Sequence, residues 1–222
     1  MTAVVMAKAP RSGQPKTRLH PLLGPAGCAK LQAALIRNVR TIVTDAGLRC
    51  VVAVDPPGAA GDMAALIGSS ATVFAQSGGD LGERMRHAAN TSFGAGAARV
   101  VLLGVDVPTL QPRHLAEAVR LLDDGADVVL GPAVDGGYYL LGLRRPVDAL
   151  FGLERAAWGG PTVLDDTLAI ARRHRLAVDL LEPLTDLDTV ADATTLLGDP
   201  MLPRHIADLL CGAADLQSVA SR

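Results

Sequence analysis

Residues 100–108 read Val100-Val101-Leu102-Leu103-Gly104-Val105-Asp106-Val107-Pro108: an apolar run, a glycine, one carboxylate and a proline. A short apolar run without polar alternation fits a strand buried on both faces, as in a parallel sheet covered by helices. The same kind of unit recurs along the chain. Strands are predicted over residues 3–7, 50–54, 72–75, 100–103, 128–130, 138–143 and 177–181, and helices over 26–46, 81–92, 112–122, 162–174, 190–197 and 203–210. Leu31, Leu35, Ile36, Val39 and Val43 recur at close to the 3.6-residue helical period, giving the first helix one apolar stripe. Pro112 suits the first turn of its helix, where the missing N–H costs nothing. Apolar runs alternating with amphipathic stretches define an α/β chain with a mainly parallel sheet. No polar linker divides it and no repeat is visible, so one domain is expected over residues 1–215, with a frayed tail at 216–222.

The 222 residues are 49% hydrophobic, enough for one large core. No apolar run is long enough to span a membrane, and MTAVVMAKAP is too short before Lys8 for a secretory signal, so a soluble cytoplasmic protein is expected. Cys28, Cys50 and Cys211 are odd in number and far apart, which suits reduced structural thiols. Charge is distributed unevenly. Residues 1–44 hold no acid but carry Lys8, Arg11, Lys16, Arg18, Lys30, Arg37 and Arg40, so this segment is +7 within a chain of net charge −2. All three lysines fall here. A solvated basic face is the ordinary reading of such charges, and the favoured one without the loop at residues 8–19. Nucleic acid is a poor partner for a chain that is 3% aromatic and has no recognition motif.

The first strand, ending at Ala7, runs into Lys8-Ala9-Pro10-Arg11-Ser12-Gly13-Gln14-Pro15-Lys16-Thr17-Arg18-Leu19. Loops at the carboxyl ends of parallel strands form the ligand crevice, so these cations would meet a polyphosphate there. Pro15 stands where a Walker loop needs glycine, and Gly13 alone is no GxGxxG fingerprint. P-loop and NAD-dependent chemistry are thereby disfavoured. Asp106, at the end of its strand, can hold a hard cation that bridges phosphate oxygens, or can cap the following turn. Its proposed partner is Asp188 in Thr185-Asp186-Leu187-Asp188-Thr189, which could instead cap the helix at Val190. Magnesium takes only one or two protein carboxylates, so this pair would suffice for Mg2+ or Mn2+.

In Gln76-Ser77-Gly78-Gly79-Asp80-Leu81-Gly82-Glu83-Arg84-Met85, glycine allows close approach to a base and Gln76 can read its edge. Arg84 could reach phosphate or form an ordinary ion pair. Leu130-Gly131-Pro132-Ala133-Val134-Asp135-Gly136-Gly137-Tyr138-Tyr139 opens backbone space beside the chain's only two tyrosines, which suits an acceptor pocket. A tight turn leading into a core strand is the alternative, and the favoured one for Tyr139.

The order AKAPRSGQPKTRL, QSGGDLGERM, LLGVDVP, LGPAVDGGYYLLGL resembles the DUF2064 or CofC-like "transferase 1" group of bacterial glycosyltransferase-like proteins, over roughly residues 3–195. That group is similar to the GT-A nucleotide-diphospho-sugar transferases, whose relatives include 2-phospholactate guanylyltransferase and the molybdenum-cofactor nucleotidyltransferases. The resemblance implies a three-layer α/β/α sandwich with one antiparallel strand, at residues 138–143. It implies phosphate contacts from Lys8, Lys16 and Arg18, a base near Gln76 and Gly82, and metal at Asp106 and Asp188. Asp135, Gly136 and Gly137, with Tyr138 next to them, would border the acceptor. Two departures stand out. The first loop has the Lys-Thr-Arg-Leu form and not GxGxR, and Trp158-Gly159-Gly160-Pro161-Thr162 replaces an expected Trp-Ser-Thr.

These readings lead to a metal-dependent transferase in which Lys8, Lys16 and Asp106 act at the reacting phosphates, and Ala7, Arg18, Gln76, Gly82 and Arg84 complete the nucleotide side. The foremost expectation is nucleotidyl transfer from a triphosphate to a small phosphorylated acceptor, with pyrophosphate leaving. Glycosyl transfer from a nucleotide-diphospho-sugar needs the same cation and is the first alternative. A non-catalytic nucleotide-binding module is the second. The acceptor, base preference and oligomeric state are not encoded in any motif.

Overall fold

The structure, a computed structural model, describes residues 1–11, 13–68 and 72–220, with the backbone alone from 213 onward. Ser12 of the first loop and Ser221 and Arg222 of the expected tail lie outside the described residues. Seven strands form one sheet: β1 Thr2–Lys8, β2 Arg49–Asp55, β3 Thr72–Ala75, β4 Val100–Leu103, β5 Val128–Pro132, β6 Tyr138–Leu143 and β7 Val178–Leu180. Their order is β3-β2-β1-β4-β6-β5-β7. Only β6 runs against its neighbours β4 and β5, so the expected reversed strand is found where the resemblance put it.

Strand alternation splits the core between two helical layers. Ala3, Val5, Val101 and Leu103 point to one face, where Leu31, Leu35 and Ile36 of α1 (His20–Asp45) pack with Leu115 and Leu122 of α4 (Pro112–Asp123). Val4, Val100 and Leu102 point to the other, against Met85 and Ala88 of α3 (Leu81–Gly94) and Ile170 of α5 (Val163–Arg173). Each fully buried leucine of this kind contributes roughly 1.5–3 kcal/mol of transfer free energy. With helices on both faces, the chain is the expected three-layer sandwich.

Helix boundaries differ from expectation in instructive places. In α1, Gly24 has φ 64° and ψ 171°, which breaks the helix so that Pro25 restarts it one residue before the predicted position 26. The unpredicted α2 (Ala60–Ile67) has only eight residues, includes Gly61, and buries just Met63 and Ile67, too little periodicity to announce a helix. The helix α6 (Val190–Leu197) matches its prediction, and α7 (Arg204–Ala220) runs ten residues past the expected end, into the segment expected as tail. No described helix is long and apolar enough to cross a membrane.

Candidate active site

Parallel strands deliver their carboxyl ends to one edge of the sheet, and the antiparallel β6 brings its amino end there. Lys8 closes β1, Asp55 closes β2, Gln76 follows β3, Asp106 follows β4, and Tyr138 opens β6. Together they line a cavity of about 530 Å³, joined by Ala7, Lys16, Arg18, Arg84, Asp135, Gly137, Trp158, Asp186 and Asp188. Its location at the strand ends is where ligands bind open α/β sheets.

At the centre, Lys16 Nζ lies 2.5 Å from Asp106 Oδ1 and 2.8 Å from Asp188 Oδ1, and it donates to the Leu187 carbonyl at 2.6 Å. Burial alone would lower the Lys16 pKa, but Asp106 and then Asp188 outweigh it and hold the ammonium above its ordinary value. Backbone geometry fixes this position. Lys16 has φ 54°, left-handed for a non-glycine residue, and the Cys28 thiol donates to its carbonyl. From the far side of the cavity, Leu187 N donates to the Asp106 carbonyl at 2.8 Å.

The capping alternative for Asp188 is resolved. Thr189 is the N-cap of α6, forming a capping box with Asp192, whose Oδ2 also accepts from Asp188 N. The Asp188 carboxylate is therefore not spent on the cap and turns to Lys16 in the cavity. No motif singles out Asp186, and it proves the most perturbed acid of the cavity. Burial, then Asp135, Asp106 and Asp188, push its carboxyl up to about 7, and its Oδ2 is buried with no hydrogen-bond partner. Its signal in sequence was the D-x-D spacing with Asp188.

Two oxygens from Asp106 and Asp188 already converge on one cationic atom, and the adjacent Asp186 has an unsatisfied buried oxygen. This all-oxygen donor set suits a hard divalent ion, which needs few protein carboxylates when phosphate and water supply the rest. Among the described residues no group of three or more His, Cys, Asp or Glu side chains is placed to hold a metal ion.

Other expected residues fall into two groups. Lys8 and Arg18 are exposed at the cavity and have no side-chain hydrogen bond or ion pair among the described residues. Gln76 is buried and its amide donates to the Ala53 carbonyl at 2.8 Å and the Ala7 carbonyl at 3.4 Å, so its donor side holds strand ends together. Arg84 pairs with Asp55 at 3.2 Å and donates to the Asp80 carbonyl, the ordinary ion-pair outcome. Gly82 and Gly136 do not line the cavity. A Cβ on Gly82 would stand 2.5 Å from the Trp158 ring, and one on Gly136, at φ 93°, would collide with the Pro161 carbonyl. Both glycines seat the segment carrying Trp158, whose buried indole N–H has no partner and whose ring lines the cavity. Asp135 Oδ1 accepts from Gly137 N at 2.9 Å, a side-chain-capped turn. The Tyr138 hydroxyl is raised well above its usual range by burial. Away from the cavity, Lys30 and Arg37 are exposed on α1, as a solvated basic face requires.

A family model described as "Uncharacterized protein conserved in bacteria (DUF2064)" matches residues 38–160. The chain belongs to this family. Phosphoenolpyruvate guanylyltransferase of Rubrobacter xylanophilus is 30% identical to this DUF2064 protein over 159 residues, 71% of this chain and 75% of that one. Among solved structures, a candidate nucleotide-diphospho-sugar transferase from Desulfovibrio desulfuricans G20 is similar at TM-score 0.81 and 29% identity, covering 96% of this chain and 99% of that one. Rv0371c of Mycobacterium tuberculosis H37Rv, at TM-score 0.52 and 21% identity over 88% and 95% of the two chains, shares the fold. The expected fold and transferase class of the DUF2064 protein are borne out by these relatives.

Proposed function

We propose that this chain is a divalent-metal-dependent nucleotidyltransferase that moves a nucleoside monophosphate from a triphosphate onto a small phosphorylated acceptor. The observation that carries the reading is the shared grip of Asp106 and Asp188 on one cationic centre, the Lys16 ammonium, beside Lys8 and Arg18, which have no side-chain partner among the described residues. Lys8, Lys16 and Arg18 meet the triphosphate, with Ala7 and Gln76 bordering the nucleotide. Asp135, Gly137 and Tyr138 border the acceptor, with Gly136 shaping the turn. Asp106 and Asp188, with Asp186 beside them, hold Mg2+ or Mn2+. When bound, that ion offsets phosphate charge and so favours departure of pyrophosphate. The acceptor phosphate oxygen attacks the α-phosphorus, the bond from the α-phosphorus to its bridging oxygen breaks, and pyrophosphate leaves. An acceptor phosphate is ionised near neutral pH, so no side-chain base is required. Cations preset around the phosphates stabilise charge without reorganising during the reaction. The functional unit is residues 1–215 as one domain, acting in the cytoplasm.

Support from the guanylyltransferase relative makes GTP with phosphorylated carboxylic acids the first combination to assay. Pyrophosphate release is measured for GTP, CTP, ATP and UTP against phosphorylated acids and sugars, with Mn2+, Mg2+ or EDTA. Release with at least one pair, abolished by EDTA, is expected; none across the panel overturns the reading. The Desulfovibrio relative favours glycosyl transfer as the second reading. Hydrolysis of a nucleotide-diphospho-sugar with no turnover of triphosphates would establish it instead.

A further inference from the structure

The two carboxylates of the site arrive on separate arms, residues 106–114 and 182–188. At the cavity the arms meet through Leu187 N donating to the Asp106 carbonyl, and through Lys16 gripping Asp106 and Asp188. A second junction joins their other ends. His114 is buried in the first turn of α4, and its Nδ1 accepts from Gln111 N at 2.9 Å as part of the helix cap. With Nδ1 accepting, the ring proton lies on Nε2 and is donated to Glu182 Oε1. Arg113 adds an ion pair to the same oxygen at 2.7 Å. The Glu182 carbonyl then accepts from the Tyr139 hydroxyl at 3.1 Å.

Tyr139 reaches that carbonyl because Gly131 has no side chain: any Cβ there would collide with the Tyr139 ring. His114 and Tyr139 meet edge to face, with centroids 6.5 Å apart. Glu182 therefore ties α4, β6 and the second arm together. Between the two junctions, Leu184 N donates to the Pro132 carbonyl and Val134 N donates to the Leu184 carbonyl, guiding the arm across the strand ends. The result is a closed frame, with carboxylates on one side and the Glu182 fastening on the other. Hydrogen bonds from His114 and Arg113 also hold the Glu182 carboxyl below its usual range.

We propose that Glu182, fastened by His114, Arg113 and Tyr139, is a positioning residue that sets the spacing of Asp106 and Asp188 and hence the affinity for the divalent ion. Asp106 and Asp188 sit at the ends of their arms, so slack at Glu182 is transmitted along a few residues to the oxygens that converge on Lys16. Groups that orient metal-binding side chains commonly change affinity by about 10- to 100-fold when removed. This inference rests on the metal-dependent reading above.

The test uses the full chain and Mn2+ alone, with the free ion followed by electron paramagnetic resonance, and the Mn2+ concentration for half-maximal pyrophosphate release as a second readout. Glu182→Ala and Tyr139→Phe are each expected to weaken Mn2+ binding about tenfold. Glu182→Gln, whose amide oxygen still accepts from His114, should stay within about threefold of wild type. Melting temperature is recorded for all three. Wild-type Mn2+ affinity in Glu182→Ala and Tyr139→Phe, whatever their melting temperature, overturns the positioning role and leaves the proposed function standing. Loss of affinity in Glu182→Gln equal to that in Glu182→Ala also overturns it. No Mn2+ binding by the wild-type chain overturns both.

Discussion

The loop after β1 and the arm at 182–188 reach the same point by opposite means. The loop brings four cations, commits Lys16 to two protein carboxylates and pairs Arg11 with Asp62, leaving Lys8 and Arg18 unpaired among the described residues. The arm brings three acids and leaves one, the half-buried Asp186, with a buried Oδ2 that has no hydrogen-bond partner among the described residues. A committed cation fixes geometry, whereas an exposed unpaired one is available to a ligand and costs nothing until the ligand arrives. The difference teaches that pairing, more than charge, separates groups that build the site from groups that wait for substrate.

Asp106→Ala removes the oxygen on which both regions meet. Metal-dependent turnover should fall by at least about a hundredfold, as loss of a key electrostatic contact does. Steady-state pyrophosphate release checks this, and full activity would break the assignment. Lys16→Met tests the committed cation. It leaves two carboxylates facing each other without a counter-charge, and because they are 43% exposed the cost is set at about 1–2 kcal/mol. Mn2+ should then raise the melting temperature more in Lys16→Met than in wild type, since the ion replaces the missing charge. Equal metal shifts would show that lysine and metal do not share the position.

Lys8→Ala and Arg18→Ala should behave differently, leaving melting temperature unchanged while weakening triphosphate binding about tenfold each. Calorimetric titration with GTP and Mn2+ measures this. Asp186→Asn addresses the arm. The folded-state pKa of Asp186, about 7, lies above its ordinary 3.8, so folding carries no penalty below about pH 4 and an increasing one as pH rises toward 7. In EDTA the substitution should therefore stabilise the protein by about 1–2 kcal/mol at pH 8, and by nothing at pH 4. Chemical denaturation at the two pH values decides it; a pH-independent difference would rule out the shifted carboxyl.

The sheet was legible because its central strands are apolar runs, as in Val100–Leu103 and Tyr138–Leu143. β3, β4 and β6 occupy the predicted residues without adjustment, and Lys8, Lys16, Asp106 and Asp188 reach the same cavity as their loop positions require. What stayed hidden depended on partners remote in sequence. Nothing local in Gln76 announces that it donates to Ala53 and Ala7, or that Arg84 pairs with Asp55, or that Gly82 makes room for Trp158. Glycines with a steric partner read like glycines with a ligand until the partner is in place. Asp186 is hidden in the sequence because its perturbation comes from burial and three neighbouring acids, which no single motif states.

The contact between Lys16 and Asp188 spans 172 positions of the chain. On the ribosome, the loop after β1 emerges well before residues 182–188, which supply its counter-charges. The entropy of closing so long a loop grows only slowly with length, so the delay is one of synthesis and topology more than of thermodynamic cost. A nascent chain released before residue 182 would carry the cavity cations Lys8, Lys16 and Arg18 without Asp186 and Asp188. The pairing of the loop is thus coupled to the synthesis of residues 182–188, the segment that brings Asp188 to Lys16.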